Sequence, residues 1–168
     1  MAERNPNLIS PKAMEAMAST ANSGKELISE IFTKINNAKD KPKKIEVLRR
    51  YNTPNMRMVL KGAFDPKIEW DLPPGIPPYI ANEAPAGTEH TYLELEAKRL
   101  YNFAKGGNAS LNKIRKETLF IQMLEGLHAD EAKVLLDMKN KSLNKTYKGL
   151  TSEMVKEAFG WNADFVKP

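Results

Sequence analysis

The sequence predicts an all-α fold: a compact bundle of about seven short helices with a long proline-rich strap loop over residues 65–90. Apolar residues recur at helical spacing in most segments. Serine, threonine or aspartate stands before several of these segments, where helix caps are expected. The sequence contains no convincing pair of segments with the alternating apolar and polar pattern of β-strands. We expect an N-terminal arm with a short helix over 1–24, a single helical domain over 25–160 and a C-terminal tail over 161–168.

Three helices with tight turns are expected over residues 25–64. The first covers 25–38 and carries isoleucines at helical spacing. Asp40 and Thr53 are expected to cap the next two helices, because Pro42 and Pro54 suit a first helical turn.

The proline-rich strap begins where the third helix is expected to stop, at Gly62 and Asp65-Pro66. It holds six of the eleven prolines, which rules out regular helix and disfavours a long paired strand. Its centre, residues 72–79, favours polyproline-II geometry with a turn at Gly75. Its apolar content indicates either a strap packed on the helices or a docking segment for a partner. The candidate partner-docking residues are Trp70, Pro73, Pro74, Pro77, Pro78 and Tyr79.

After the strap, one helix is expected over 91–105, ended by Gly106-Gly107. Its predicted apolar stripe consists of Tyr92, Leu93, Ala97, Leu100, Tyr101 and Ala104. A helical hairpin follows over 110–143, broken at Gly126. The first member is expected to start at Asn108 or Ser110. Its predicted apolar faces are Leu111, Ile114, Ile121 and Leu124 on one side and Phe120, Met123 and Leu127 on the adjoining side. Thr151 is expected to cap a last helix that closes at Gly160.

Catalytic chemistry finds little support in the residues. Cysteine is absent, which excludes disulfides, thiolate zinc sites and a cysteine nucleophile. His90 and His128 lack metal-ligand spacing, and neither a phosphate-binding glycine loop nor a serine elbow occurs. His128 and Glu131 fit a helix start better than an acid–base pair. We therefore predict a non-enzyme with no catalytic, cofactor or metal site.

Positive charge is the feature that remains. The net charge is +5, and residues 39–50 carry six lysines and arginines in twelve positions. Several cations on one face can contact phosphates or an acidic partner, whereas a solvated lysine-rich surface is the plainer alternative. The predicted polyanion-binding residues are Lys39, Lys41, Lys43, Lys44, Arg49, Arg50, Arg57, Lys113, Arg115 and Lys116.

Several short motifs resemble a family of small proteins from large contractile-tailed phages of marine bacteria, including cyanophages. They are FIQMLE at 120–125, LHADEA at 127–132, MKNK at 138–141, YKGLT at 147–151, AF at 158–159, LPPGIPPY at 72–79 and FAKGGN at 103–108. The resemblance covers roughly residues 25–160 and departs at Gly160-Trp161, where the family pattern has proline–glycine. That family has no assigned activity, so the resemblance implies a phage origin and transfers no site residues.

Together these features predict a non-enzymatic phage accessory protein. We expect it to bind a phage or host protein, or a nucleoprotein, through its basic helices and the proline-rich strap. A virion structural component and a direct DNA- or RNA-binding protein acting in phage replication or transcription are the alternatives. The host cytoplasm is the expected location, with the virion as the alternative. The longest apolar stretches are too short for a membrane span, so no membrane partner is expected.

Overall fold

The computed structural model describes residues 26–81 and 91–168, and over these residues the chain is helical without a strand. This confirms the predicted all-α class. The predicted arm over 1–24 and part of the strap, 82–90, lie outside the described residues. In chain order the described elements are α1 (Ile28–Asn37), α2 (Lys41–Arg50), α3 (Pro54–Phe64), α4 (Leu93–Glu96), the 3-10 helix η1 (Ala97–Phe103), α5 (Lys113–Gly126), α6 (Ala129–Lys139), α7 (Leu143–Thr146) and α8 (Ser152–Phe159).

Side-chain caps start the helices largely where the sequence places them. Asp40 accepts a hydrogen bond from Lys43 N at 3.0 Å, and Thr53 accepts one from Met56 N at 3.1 Å. Thr151 caps α8 in the same way. Gly160 ends α8 with φ +69°, as predicted. The start predicted at Asn108 or Ser110 is wrong: Asn112 caps α5, so that helix begins later.

Helix α6 lies at the centre of the bundle. It contacts α1, α3, α4, α5 and α7, while α2 packs between α1 and α8. Val134, Leu135 and Met138 are fully enclosed along it. A central helix of this kind fixes the relative positions of elements that are far apart in sequence.

The carboxylate of Glu131 on α6 joins two other helices. The side chain is 0% exposed. One of its oxygens accepts from Ile28 N at 2.7 Å and the other from Leu93 N at 2.8 Å. These are the first residues of α1 and α4, whose amide groups have no partner within their own helix. A negative charge is also favourable at a helix N-terminus, so one buried carboxylate caps both.

The helix predicted over 91–105 is wrong in type, because only α4 is α-helical and η1 completes the segment. Its buried side chains, Ala97, Leu100 and Phe103, recur every three residues, which matches three residues per turn. Tyr101, predicted to be in the stripe, is half exposed instead. An α-helical pattern cannot distinguish these registers over seven residues.

The predicted apolar face of α5 is wrong at its start. Ile114 is 77% exposed, whereas Leu124 and the predicted adjoining face of Phe120, Met123 and Leu127 are buried. The late start at Lys113 places Ile114 in the first turn, beyond the edge of the core.

The segment predicted as a tail, 161–168, folds back beside α8. Trp161 lies 4.9 Å from the ring of Phe159, and Phe165 is buried 6.0 Å from Trp161. None of the described helices is long and apolar enough to cross a bilayer.

Replacing Glu131 should destabilise the bundle strongly. Glu131→Ala leaves two buried donors without this acceptor and should lower the free energy of unfolding by roughly 2 to 6 kcal/mol. Glu131→Gln should cost less, because the amide oxygen still accepts one bond. Lys133→Ala, an exposed change on the same helix, is the control. Chemical denaturation followed by circular dichroism measures all three, and a Glu131→Ala variant as stable as the control would contradict this role.

Candidate functional site

Two of the ten predicted polyanion-binding residues, Lys44 and Arg49 on α2, bind backbone carbonyls of the protein itself. The ammonium of Lys44 donates to Ile35 O, Asn36 O and Ala38 O at 2.8–3.1 Å, which uses all three of its donors. The guanidinium of Arg49 donates to Ala158 O at 3.0 Å and to Glu157 O at 3.3 Å. These carbonyls belong to the last turns of α1 and α8. Lys44 and Arg49 therefore bond carbonyls at helix ends, and of the two only Arg49 is exposed.

Lys116 is also part of the fold. It is 5% exposed, and its ammonium lies 2.9 Å from a carboxylate oxygen of Asp71 in the strap. The sequence places Lys116 in a basic cluster with Lys113 and Arg115, but the side chain points inward from α5. The predicted polyanion-binding set loses this residue.

Three of the remaining predicted cations form ion pairs. Lys113 lies 3.8 Å from Asp71, whose side chain is largely buried. Lys41 lies 3.1 Å from Glu157 and Arg50 lies 3.9 Å from Glu46, and both of these pairs are exposed. Exposed pairs of this kind contribute little to stability, so these cations can exchange their partner at low cost. Arg57 donates to Asn52. Lys39, Lys43 and Arg115 are exposed and pair with no acidic side chain among the residues that the structure describes.

Four cations meet along a groove between α1 and α2, which we call the basic groove. Its cations are Lys34, Lys39, Lys43 and Arg50, its one acidic side chain is Glu46, and its volume is about 550 Å³. Lys34 was missed by sequence reasoning, because it lies on α1 and only folding brings it beside α2. Its ammonium bonds Glu26 and Tyr51. The pKa of Lys34 is raised, and the hydrogen bond to Glu26 is the main cause.

The strap is fixed to the helices at Trp70. The indole N–H donates to Gly62 O at 3.0 Å. The neighbouring backbone forms an isolated antiparallel bridge to Ala104, with Asp71 N bonded to Phe103 O and Lys105 N to Glu69 O. Trp70, a predicted partner-docking residue, is half-buried on the core.

The predicted stop of α3 at Gly62 is wrong, and the contact with Trp70 explains why a glycine stands there. It lies inside the helix and leaves room for the indole: a Cβ there would come 2.5 Å from Trp70 Cζ2.

A second tether comes from the end of α6. The buried ammonium of Lys139 donates to Pro73 O and Gly75 O, each at 2.8 Å, and Asn140 donates to Gly75 O at 3.2 Å. Burial lowers the pKa of Lys139. The sequence indicates only a favourable charge at a helix end here. A lysine three turns from its own helix start gives no local signal that it holds a distant loop.

The outer side of the described part of the strap, residues 65–81, carries exposed apolar side chains. Ile76 and Ile80 are 73% and 79% exposed, and Pro73, Pro74 and Pro78 are exposed beside them. Pro77 and Tyr79 are half-buried, and Gly75 takes φ +85° at the predicted turn. Residues 65–81 thus have an inner side bonded to the helices and an apolar outer side.

Of the two histidines that the sequence discounts as metal ligands, His90 lies outside the described residues and His128 stands at the start of α6. His128 accepts a hydrogen bond from Asp130 N at 3.1 Å as the cap of α6, while Glu131 binds α1 and α4. No group of three histidine, aspartate or glutamate side chains able to hold a metal occurs in residues 26–81 and 91–168. Burial raises the pKa of Glu94, which accepts bonds from Thr53 and Asn55.

Gly62→Ala should destabilise the protein although alanine normally favours a helix interior. The added Cβ would force Trp70 from its site, at a cost of about 1 to 3 kcal/mol. The emission of Trp70, measured in a Trp161→Phe background, should shift towards that of a solvated indole. Lys61→Ala, one position earlier, should leave both quantities near those of the parent. An unchanged emission in Gly62→Ala would refute the contact.

The Asp71 pair should stabilise the protein in a pH-dependent way. The hydrogen bond from Lys116, aided by the charges of Lys113 and Lys105, lowers the pKa of Asp71 below its usual 3.8. The unfolded chain therefore takes up this proton first as the pH falls. The stabilisation is complete above about pH 3.8 and is lost as the pH falls through the lowered folded pKa.

Thermal unfolding of Asp71→Asn measured between about pH 5 and pH 2 checks this. Wild type should lead the variant in Tm at the higher pH, and the gap should close on acidification. Asp164→Asn, at an exposed carboxylate, should track wild type. A constant gap would show that the carboxylate charge is not responsible.

Comparison with known proteins adds one match. Residues 31–145 match a family of unknown function, DUF6433, and this region runs from α1 to α7. Searches of curated proteins and of solved structures gave no match. The matched region includes the basic groove, the strap and the tethers at Lys116 and Lys139. Because it spans more than half of the chain, the protein belongs to the DUF6433 family of unknown function.

Proposed function

We propose that this protein is a non-enzymatic phage accessory protein whose basic groove binds the acidic surface of a protein or nucleoprotein partner. The observation that carries the proposal is the groove itself, whose lining holds four cations from α1, α2 and the turn between them and one acidic side chain, Glu46. The phage setting rests on the motif resemblance described above.

Electrostatics supports this use of the groove. Lys39 and Lys43 are exposed and have no acidic partner among the described residues, so a partner displaces only water and counterions from them. Arg50 and Glu46 are 3.9 Å apart and exposed, so their pair costs little to break. Several adjacent cations speed the encounter with an acidic surface and set its orientation.

The strap supplies a second contact surface of different chemistry. Its exposed side chains, Ile76 and Ile80, are apolar, and the prolines between them restrict the backbone. The bonds from Lys139 and Asn140 to Gly75 O hold the turn in place before binding. A segment that is already ordered loses little conformational entropy when a partner docks.

Charge reversal tests the groove. Lys39→Glu/Lys43→Glu should weaken binding of labelled poly-glutamate and of a short labelled DNA duplex, measured by fluorescence anisotropy at low salt. For the duplex, the slope of log affinity against log salt should fall in magnitude by about 2. Lys98→Glu/Lys133→Glu is the matched control, since these lysines are exposed on η1 and α6 outside the groove.

Equal losses in the two double variants would remove the groove from the proposal and leave only a general charge effect. If neither poly-glutamate nor the duplex binds at low salt, the proposed function is overturned. Binding to the duplex alone would favour the direct nucleic-acid alternative. Detection of the protein in purified particles by mass spectrometry would favour a virion component.

A further inference from the structure

A cavity of about 720 Å³ lies apart from the basic groove, between the end of α3, the strap, the end of α6 and the start of α8. Its lining includes Phe64, Ile68, Trp70, Lys139, Lys141 and Ser152. A volume of several hundred Å³ with mainly apolar walls and a few polar groups is typical of small-molecule sites.

Its two lysines bond only to backbone carbonyls among the residues that the structure describes. Lys139 donates to Pro73 O and Gly75 O, and Lys141 donates to Gly62 O at 2.7 Å and Asp65 O at 2.9 Å. An ammonium group has three donors. Each lysine therefore keeps one donor beyond the bonds that the structure assigns.

The positive charge lies next to the aromatic wall. Lys141 Nζ and Trp70 Nε1 donate to the same oxygen, Gly62 O, at 2.7 and 3.0 Å. Lys141 follows α6 in the left-handed region with φ +57°, and its ammonium reaches Gly62 O near the end of α3. The ammonium and the indole edge are thus held together by one carbonyl.

The acidic groups near the cavity are engaged elsewhere. Glu69, which lines the cavity, is exposed and lies 3.1 Å from Lys105. The carboxylate of Asp65 accepts from Lys67 N at 2.9 Å. Both acids act on Lys141 through their charge, but neither bonds it by its carboxylate, and burial remains the main influence that lowers its pKa. Burial alone lowers the pKa of Lys139.

We infer that this cavity binds a small organic anion, whose carboxylate or phosphate group bonds the spare donors of Lys139 and Lys141 and whose flat ring lies against Trp70. An anion there supplies the counter-charge that the carbonyls do not. Charge-assisted hydrogen bonds of this kind are the strong ones, particularly in a partly enclosed site. The site does not depend on the basic groove and shares none of its cations.

The test uses benzoate and phenyl phosphate as probes, with benzyl alcohol as the neutral control of similar size. NMR follows the indole N–H of Trp70 and the ammonium-bearing carbons of the two lysines in the full-length protein. Saturable shifts of these signals are expected with either anion, in the millimolar range or tighter. No saturable shift with either anion, or equal shifts with benzyl alcohol, would overturn the inference.

Neutral variants then locate the charge. Lys139→Gln and Lys141→Gln retain a donor for the carbonyls and remove the charge, so each should weaken the anion about tenfold or more. Lys145→Gln, an exposed lysine outside the cavity lining, should bind as wild type does. Unchanged affinity in both cavity variants would overturn the site. Should either variant fail to fold, the wild-type comparison of anion with benzyl alcohol still decides. The charge-reversed groove variant should bind the anion normally, which separates this site from the proposed function.

Discussion

The buried carboxylate of Glu131 is the constraint on which the bundle depends. A charge removed from water is costly unless hydrogen bonds replace its hydration, and here two helix N-termini supply them. The bonds join residues 103 and 38 positions apart along the chain. Since α6 contacts most other helices, this anchoring sets where α1 and α4 begin relative to the core. The position of α1 in turn sets one wall of the basic groove.

Cations perform the complementary task at helix ends. Lys44, Arg49 and Lys141 each bond carbonyls in the last turn or cap of a helix, and Lys139 does the same for the strap turn. Helix C-termini expose carbonyls without partners and favour positive charge. Part of the positive charge in the sequence is therefore structural. Of the predicted polyanion-binding residues, Lys39, Lys43 and Arg50 remain exposed in the basic groove.

Features set by local chemistry could be predicted from the sequence. The caps at Asp40, Thr53 and Thr151 and the left-handed Gly160 depend on neighbouring residues alone. The all-α class follows from the same signals. Features set by distant contacts could not be predicted. Gly62 lies inside α3, where the Trp70 indole occupies the space that a Cβ would fill. The side chain of Lys116 points inward, where it pairs with Asp71 of the strap. The same holds for the groove, where Lys34 joins α2 only through folding.

Lys139 links the cavity to the exposed apolar side of the strap. Its inner side presents Pro73 O and Gly75 O to that lysine, while its outer side presents Ile76 to solvent. An anion that bonds the spare donor of Lys139 leaves both carbonyl bonds intact and adds counter-charge to the buried ammonium. If the anion binds more tightly to the tethered strap than to a released one, it stabilises the tethered form. By linkage, a partner that docks on the tethered strap must then raise the affinity for the anion by the same factor.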